Sequence, residues 1–451
     1  MVKDLLLNCD CKLLNGNREV LINECFVDSS KVTVGSCFFG VKGKNTDGSL
    51  YYKEAMDNGA KVLVLSKRYD YNFKGYEDRV VIIADDTLKV LKDLAAYKRS
   101  LFTGPVIGIT GSVGKTSTKE MLSNVLNKNY KVLKTKGNEN SQIGLPLTIL
   151  RLTHEDVIIL EMGMSKIGEM HNLSLIAKPD IAIITNVFDS HIGNLGSREN
   201  ILKAKLEIID GMNNGTLIIN NDNDMLEKVK EDIKPGINVM SFGINNKSNV
   251  MPCNITEGMD TTFDIGDLKG FKTKGGKTLI YNVLASYLAA KLLGVSRSMI
   301  KKGINEFANE KHRLEIINLD DNVTLIDDSY NASYDSVKVA LEYMNNFEKK
   351  KIAVLGDILE LGKESKRMHK KIGKLITDEV VDELITIGKH SKYIKREAQK
   401  NGIERKHNKH FKNEFKARAY IKKLLAKDSV ILIKGSNGIN LINLVEYLKD
   451  E

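Results

Sequence analysis

The stretch VIGITGSVGKTSTKEML, residues 106–122, decides the fold of this chain. It begins with an apolar run that predicts a buried strand, passes through a turn with two glycines, and continues into a segment compatible with a helix. Such a turn presents backbone N–H groups and a helix N-terminus to an anion. Lys115 can then reach the β- and γ-phosphates of a nucleotide, and the Thr116 hydroxyl can ligate Mg²⁺. The predicted phosphate loop consists of Gly111, Ser112, Val113, Gly114, Lys115, Thr116 and Ser117.

The spacing of this loop is GxxGKT. It is shorter than the general eight-residue pattern because Ile109 occupies the position of the first glycine. An incidental glycine-rich turn is the alternative interpretation. The strand before the loop and the helix-compatible segment after it favour phosphate binding.

The same alternation of apolar strand, turn and helix continues after the loop. Continuous Val/Ile runs between helical stretches indicate a buried parallel sheet. The runs are VIILEMG (157–163), IAIITNV (181–187) and TLIIN (216–220). Residues 245–280 are rich in Gly, Thr and Asp and predict an antiparallel appendage, and a helix is expected to begin near Tyr281.

Two further α/β units flank this central one. The first contains short β-type runs at 61–66 and 79–85, separated by polar turns. The last resumes the parallel-strand rhythm, with runs at 323–328, 351–357, 383–388 and 429–436. The predicted architecture is therefore α/β with three domains, bounded at 1–103, 104–312 and 313–451, the last one Rossmann-like.

Composition excludes several classes of protein. Of 451 residues, 42% are hydrophobic and 28% charged, the balance of a folded protein rather than a disordered one. The net charge of +10 permits nucleic-acid binding, yet tryptophan is absent and no basic block alternates with aromatics, so a small anionic substrate explains the charge as well. The N-terminal segment has three consecutive leucines and predicts neither a signal peptide nor a membrane span. We expect a cytoplasmic protein.

The five cysteines lack the paired spacing of a structural zinc site. Cys9 and Cys11 offer at most one ligand pair, with no second pair nearby. The sequence therefore predicts reduced thiols.

Polar residues follow the central strands at the edge where an open parallel sheet binds its ligands. Glu161 ends the second of these strands and is well placed to bind the nucleotide's Mg²⁺. A solvated loop carboxylate is an equally good interpretation from position alone. Asp189 and His191 follow the third strand at the same edge, and their coincidence with Glu161 and Lys115 favours a catalytic site.

These segments together resemble the Mur ligase superfamily, which joins amino acids or peptides to nucleotide-linked substrates. The resemblance rests on the phosphate loop, the EMG turn at 161–163, the run ITNVFDSHIGNLGS at 184–197, and the Ala204-Lys205, Asn282 and Arg313 positions. Their order and spacing cover most of the chain. IDDSYNASYDS (326–336) and VLGDILELGKES (354–365) are similar to the branch that adds D-alanyl-D-alanine to UDP-N-acetylmuramoyl-tripeptide.

The resemblance implies a central P-loop ATPase domain between a UDP-binding domain and a C-terminal ligase domain. It implies ATP and Mg²⁺ as cofactors, with Lys115, His191 and Lys205 as catalytic residues. It also makes Lys205 a candidate for carbamylation, although an ordinary surface lysine fits the sequence equally well. The implied metal ligands are Thr116, Glu161, His191 and Lys205, and the nucleotide contacts add Asn282, Arg313 and Asp328 to the phosphate loop.

The first domain resembles the family's UDP-binding module. Ser29 and Ser30 match its nucleotide contacts and Asp47 its turn, while Asn138 and Asn140 match a segment on the sugar-nucleotide side. The implied substrates are UDP-N-acetylmuramoyl-tripeptide and D-alanyl-D-alanine, with no nucleic-acid partner and a monomeric chain. The implied chemistry is carboxylate activation by ATP as an acyl phosphate, followed by attack of an amine.

Several positions depart from the family pattern and lie mostly on expected recognition surfaces. They are Ser30 in place of Arg, Ser141 in place of Asn, Thr278 in place of His, Tyr334 in place of Pro, and Asn437 in place of Arg. A related ligase with another peptide or amino-acid substrate therefore remains an alternative. A nucleotide-dependent switch without ligase activity and a nucleic-acid-stimulated ATPase are the other two.

Overall fold

Four β-sheets organise the chain in this computed structural model, which describes residues 2–229, 233–425 and 427–450. Sheet orders are β1-β5-β4-β3-β2, β11-β10-β9-β6-β8-β7, β12-β13-β14 and β15-β16-β20-β17-β18-β19. The strands are β1 Lys12–Asn15, β2 Cys25–Phe26, β3 Cys37–Phe39, β4 Val62–Ser66, β5 Val80–Ala84, β6 Val106–Thr110, β7 Val132–Lys134, β8 Val157–Glu161, β9 Ile181–Ile184, β10 Gly215–Asn220, β11 Ile237–Phe242, β12 Pro252–Thr256, β13 Asp260–Ile265, β14 Leu268–Lys274, β15 Glu315–Asn318, β16 Thr324–Asp328, β17 Lys350–Gly356, β18 Glu383–Ile387, β19 Asn408–Phe411 and β20 Ser429–Lys434.

The helices cover the faces of these sheets. They are α1 Val2–Asn8, α2 Tyr52–Asp57, α3 Thr87–Ser100, α4 Lys115–Leu126, α5 Gly144–Leu150, α6 Glu169–Ala177, α7 Ile192–Leu195, α8 Arg198–Leu206, α9 Lys277–Leu292, α10 Arg297–Asn305, α11 Tyr334–Met344, α12 Ser365–Gly373, α13 Lys392–Lys400, α14 Glu414–Leu424 and α15 Ile442–Lys449. No α-helix in the described ranges is long and apolar enough to span a bilayer.

The central sheet of six strands is parallel throughout and is buried on both faces. In β8, Val157 and Ile159 pack toward α4 and α9, whereas Ile158 and Leu160 pack toward α5, α6 and α8. Alternate residues of a strand point to opposite faces, so the continuous apolar run supplies both cores. The predicted buried parallel sheet is confirmed.

The first and last sheets are also parallel, except for one antiparallel strand at the edge of each. β1 is antiparallel to β5, and β15 is antiparallel to β16. β12, β13 and β14 form an antiparallel sheet of their own in the segment predicted as an antiparallel appendage. The helix expected near Tyr281 begins earlier, at Lys277, after the positive-φ glycines Gly275 and Gly276.

A buried arginine joins the first unit to the central one. Arg99, in the last turn of α3, donates from Nε to the carbonyl of Ala177 at 2.7 Å and from Nη2 to that of Lys178 at 2.9 Å. Its Nη1 donates to Phe102 at 3.0 Å, within the connection to β6. Because a guanidinium carries five donors in a rigid fork, this one side chain fixes the connection in place.

The third unit meets the central one along a seam between α7 and the 3-10 turn Gly362–Glu364. A Cβ atom on Gly193 would lie 2.8 Å from the backbone carbon of Leu361 and 2.9 Å from the carbonyl oxygen of Glu360. The two backbones are therefore in direct contact at this point.

Candidate active site

One large cavity, of about 830 Å³, lies where the carboxyl edge of the central sheet faces the third unit. Binding crevices of open parallel sheets occur at this edge. Fifteen of the predicted site residues line it: Gly111, Ser112, Val113, Gly114, Lys115, Thr116, Ser117, Asn138, Asn140, Glu161, His191, Lys205, Asn282, Arg313 and Asp328. The structure thus brings together residues that span more than two hundred positions of sequence.

The phosphate loop follows β6 and ends at the start of α4, as expected. Gly111 has φ of +152°, and a Cβ there would lie 1.9 Å from Thr185 Oγ1, so only glycine fits. Lys115 Nζ donates to the Gly111 carbonyl at 2.7 Å, which folds the side chain back over its own loop. The ammonium is therefore held where phosphates would meet the loop.

Residues at the end of β9 brace the loop. Asn186 Oδ1 accepts from the backbone N–H of Val113 at 2.9 Å and of Ser112 at 3.2 Å. Its Nδ2 donates to the Val113 carbonyl at 3.0 Å, and Thr185 Oγ1 donates to the same carbonyl at 2.6 Å. Both residues lie within the run 184–197, but no role was predicted for either.

Glu161 lies buried at the end of β8 with its two carboxylate oxygens in different surroundings. Oε1 accepts from Asn140 Nδ2 at 2.8 Å, whereas Oε2 is buried without a hydrogen bond. A buried carboxylate oxygen that lacks a donor is the kind of ligand that Mg²⁺ prefers. With the Thr116 hydroxyl and the His191 imidazole lining the same cavity, the donor set fits a divalent cation.

A fully buried lysine that was not predicted from the sequence lies behind Glu161. Lys119 Nζ is 3.0 Å from Glu120 Oε1 and 3.8 Å from Glu161 Oε2. It supplies the positive charge that a buried carboxylate requires. Its position one helical turn after Lys115 is the only signal in the sequence that could have identified it.

Three basic groups crowd the floor of the cavity. Burial lowers the pKa of Lys205 well below the usual lysine value, and the nearby charge of Lys115 lowers it further. Burial also lowers the pKa of Lys115 itself, against the opposing effect of Glu161. The pKa of His191 is lowered by burial first and by Lys115 second. These shifts favour a neutral amine at Lys205 and a neutral imidazole at His191, the forms that react or ligate.

The third unit contributes a rigid cluster on the opposite wall. The Arg313 guanidinium stacks on the Tyr330 ring at 4.1 Å. Asp328 accepts from the Leu314 backbone N–H at 3.3 Å and forms a short ion pair with the buried Lys434. Burial raises the pKa of Asp328, while Lys434 opposes that shift. Arg313 and Asp328 were predicted from the sequence as site residues, whereas Tyr330 and Lys434 were not.

Asn282 lies on α9 beside the phosphate loop. Its Oδ1 accepts from Thr118 Oγ1 at 3.3 Å, and a Cβ on Gly114 would lie 2.9 Å from that oxygen. Tyr281, next to it, donates to Asp222 at 2.9 Å. Asn282 therefore lies against the N-terminal end of α4.

The three residues predicted in the UDP-binding module lie outside the large cavity. Ser29 is buried and donates to Glu54 at 2.6 Å, and Ser30 donates to Asp28 at 2.7 Å. Asp47 lines a second cavity, of about 320 Å³, together with Lys42, Gly43, Lys44, Asn45, Thr46, Leu50, Tyr51 and Tyr69. Ser29 and Ser30 line neither cavity.

Four of the five departures from the family pattern line the large cavity: Ser141, Thr278, Tyr334 and Asn437. Tyr334 carries the ammonium of Lys371 over its ring at 3.9 Å. The fifth, Ser30, is exposed on the first unit. Four of the departures therefore lie on the cavity walls, and none of them is a residue of the phosphate loop.

Family models match all three units of the chain. The Mur ligase family, catalytic domain matches residues 22–99, the Mur ligase middle domain matches 109–290, and the Mur ligase, glutamate ligase domain matches 312–437.

Full-length relatives and solved structures agree with these matches. UDP-N-acetylmuramoyl-tripeptide--D-alanyl-D-alanine ligase of Bacillus subtilis is 34% identical, over 95% of this chain and 94% of that protein. The ligase of the same name from Escherichia coli is 30% identical, over 97% of both. A MurF structure from Acinetobacter baumannii aligns with a TM-score of 0.85 at 27% identity, covering 95% of this chain and 94% of that one. The structure of MurF from Thermotoga maritima in complex with ADP aligns with a TM-score of 0.82 at 28% identity. The alignment covers 96% of this chain and 98% of that one.

Proposed function

Because the chain belongs to the Mur ligase family, we propose that it is an ATP-dependent ligase that adds D-alanyl-D-alanine to UDP-N-acetylmuramoyl-tripeptide. The reaction releases ADP and phosphate and serves peptidoglycan precursor synthesis. The observation that carries the proposal is the shared cavity, which collects the phosphate loop, a buried carboxylate and two amines from one unit, and Arg313 with Asp328 from another.

The reaction proceeds in two steps. An oxygen of the tripeptide's terminal carboxylate attacks the γ-phosphorus of ATP, the bond to the bridging oxygen breaks, and ADP leaves. The amine of the dipeptide then attacks the acyl carbon of the acyl phosphate and loses a proton as phosphate departs. Carboxylates and amines do not condense usefully in water, so ATP supplies the leaving group.

We propose that the phosphate loop and Lys115 hold the triphosphate, and that Arg313 and Asp328 contact the nucleotide from the third domain. Positioning and charge neutralisation dominate phosphoryl transfer, and a cavity shielded from water strengthens both. Asn282 belongs to the nucleotide side in this proposal, and Asn138 and Asn140 to the sugar-nucleotide side.

Thr116, Glu161, His191 and Lys205 are the proposed ligands of Mg²⁺. When bound, Mg²⁺ neutralises charge on the transferring phosphoryl group. The orphaned Glu161 Oε2 and the suppressed protonation of His191 support this set. For Lys205 we propose carbamylation: its neutral Nζ adds to CO₂, a proton leaves, and an anionic oxygen ligand results.

The first domain is proposed to bind the UDP portion of the substrate through Ser29, Ser30 and Asp47. We further propose the domain bounds 1–103, 104–312 and 313–451, a monomeric chain, a cytoplasmic location and no nucleic-acid partner. The sheets of the three units support the division into domains.

The test of the function is product analysis with the full chain. Incubated with UDP-N-acetylmuramoyl-tripeptide, D-alanyl-D-alanine and ATP, the protein is expected to form a product heavier by one dipeptide less one water, with one phosphate released per bond. ATP binding without ADP formation in the presence of both substrates would contradict ligase activity.

The site is tested by Lys115→Ala, which removes the ammonium over the phosphate loop. We expect ligation to fall about 100-fold or more, because charge on the transferring phosphoryl group is then less neutralised. Lys203→Ala, on the exposed side of α8, is the matched control and should leave the rate unchanged. Normal ligation by the Lys115 variant would disprove its assignment.

A related ligase with another peptide substrate is the second candidate. The four departures on the cavity walls favour it, because recognition differs there while the phosphate loop is intact. Phosphate release measured across several amino acids and dipeptides distinguishes the two candidates.

A further inference from the structure

A glutamate of the third domain reaches a proposed metal ligand of the central domain. Glu360 Oε2 lies 3.0 Å from His191 Nδ1 across the seam. Glu360 follows β17, and His191 immediately precedes α7. The Glu360 side chain is 66% exposed, so neither folding nor core packing requires it at this place.

Both residues adopt the left-handed backbone conformation, which is unfavourable for residues that carry a Cβ atom. His191 has φ of +60° and Glu360 has φ of +61°. For residues other than glycine, the left-handed region costs about 1 kcal/mol or more and persists only where the surroundings impose it. Two such residues facing each other indicate that the backbone on both sides of the seam is shaped for this contact.

The surrounding seam holds the two residues in register. Gly193 contacts the backbone of 360–362 with no room for a methyl group. Nearby, Lys371 of the third domain lies 3.8 Å from Asp189 of the central domain. The Glu360–His191 contact is therefore part of domain docking rather than an incidental surface pair, which by itself contributes little to stability.

We propose that Glu360 is the positioning residue for His191: in the closed enzyme its carboxylate accepts the Nδ1 hydrogen and aims Nε2 at the metal. The inference rests on the proposed function, in which His191 ligates Mg²⁺. Histidines that bind metals commonly donate their other ring N–H to a carboxylate, which fixes the tautomer and the ring orientation. Here that carboxylate comes from another domain, so closure and metal affinity become one event.

The geometry of the pair agrees with this role. Nδ1 is buried and has no hydrogen bond, although Oε2 is only 3.0 Å away, so the two groups are close but not aligned. The Glu360 side chain is mostly exposed, so packing does not lock it in the unaligned position. The alternatives are that Glu360 ligates the metal itself or blocks the site, and each predicts a different result below.

The experiment measures Mn²⁺ binding by electron paramagnetic resonance. The full chain is titrated with a non-hydrolysable ATP analogue and the UDP-tripeptide present. Glu360→Ala is expected to weaken one Mn²⁺ site about 10-fold or more, the usual effect of losing such a partner. The Glu360→Gln variant is expected to bind Mn²⁺ nearly as tightly as the unmodified protein, because its amide oxygen accepts the same hydrogen bond. In steady state, the alanine variant should need more Mg²⁺ for half-maximal rate while approaching the normal kcat.

Glu379→Ala is the control. It removes an exposed glutamate elsewhere on the domain and should change neither the number nor the affinity of Mn²⁺ sites at saturating ligands. Thermal denaturation of all variants verifies folding.

His191→Ala separates failure of the inference from failure of the proposed site. If that variant loses a Mn²⁺ site while Glu360→Ala binds normally or more tightly, the positioning role is wrong and the His191 assignment stands. Equal weakening by the alanine and glutamine variants also overturns positioning, in favour of direct ligation. If His191→Ala keeps every site, the His191 assignment falls and the inference with it.

Discussion

At the scale of single residues, the site depends on buried groups held in their less charged forms. Lys205 illustrates this, because burial and the Lys115 ammonium both disfavour its protonation. A neutral amine is the form that reacts with CO₂. Burial thus favours the amine that reacts, and the positive charge of Lys115, which disfavours an ammonium, stabilises an anionic carbamate.

We predict a carbamate on Lys205 in the native protein. Incubation with ¹³C-bicarbonate should give a carbamate carbon signal by NMR, and Lys205→Ala should abolish the signal and lower kcat about 100-fold. Lys203→Ala, exposed on the same helix, should keep both. A signal that persists in the Lys205 variant would place the carbamate elsewhere.

A second residue-scale prediction concerns Asp335, in the first turn of α11. Burial and the neighbouring Asp189 raise its pKa to about 6. The folded state therefore binds more protons than the unfolded state between about pH 4 and 6, and stability decreases as pH rises through that window. Above pH 6 the charged carboxylate destabilises the fold.

Asp335→Asn should accordingly raise the free energy of unfolding above pH 6, by on the order of 1 kcal/mol after solvent screening. Below pH 4 it should give no gain. Thermal denaturation at several pH values measures this, with the exposed Glu379→Gln as control. A gain that is constant from pH 4 to pH 8 would show that charge is not its cause.

Sequence could predict those site residues whose surroundings are local. The phosphate loop is contiguous, and Glu161 and His191 follow strands whose parallel arrangement places their ends at one edge. Lys119 lies one helical turn after Lys115, but its burial could not be predicted from that spacing, because burial depends on how α4 packs. The stacking of Arg313 on Tyr330 could not be predicted from the sequence either, since it depends on the path of the chain into the third domain.

At the scale of elements, the seam is formed by one short helix against one 3-10 turn. The sequence predicted the strands that precede both of them but not their contact, because contacts between domains depend on relative orientation. The three atoms that a Cβ on Gly193, within α7, would approach most closely are backbone atoms of residues 360–362. Backbone atoms cannot rotate away from an added methyl group as a side chain can.

Gly193→Ala should therefore hinder closure while leaving each domain folded. An overpacking cost of 1–3 kcal/mol in the closed state corresponds to a decrease of about 10-fold or more in kcat/KM. Thermal denaturation should be little changed, whereas the radius of gyration with bound nucleotide should increase in small-angle scattering. Gly258→Ala, where the nearest atom is 3.4 Å away, is the control. Unchanged kinetics would show that the seam does not close during catalysis.

At the scale of the whole molecule, the two domain connections differ. The first is fixed by Arg99, which donates from α3 to two carbonyls of the central domain and to the Phe102 carbonyl in the connection. The second connection enters the third domain at His312. The Nδ1 atom of His312 is hydrogen-bonded to the Asp327 carboxylate at 2.6 Å. We therefore expect the first two domains to act as one body against which the third closes.

Arg99→Ala should release the first domain from that body. Loss of its charged hydrogen bonds leaves buried carbonyls unpaired, at a cost of about 3 kcal/mol. Calorimetry is expected to resolve a separate transition for the first domain, absent in the control Lys98→Ala. One unchanged cooperative transition would argue that other contacts hold the domains together.

The bare backbone contact at Gly193 also has a pharmacological consequence. A small molecule inserted between α7 and the opposing turn would act as a wedge, and need not compete with the nucleotide or with either substrate. A resistance mutation that replaced Gly193 by a larger residue would itself keep α7 and the opposing turn apart. The enzyme would have few ways to escape such an inhibitor without impairing itself.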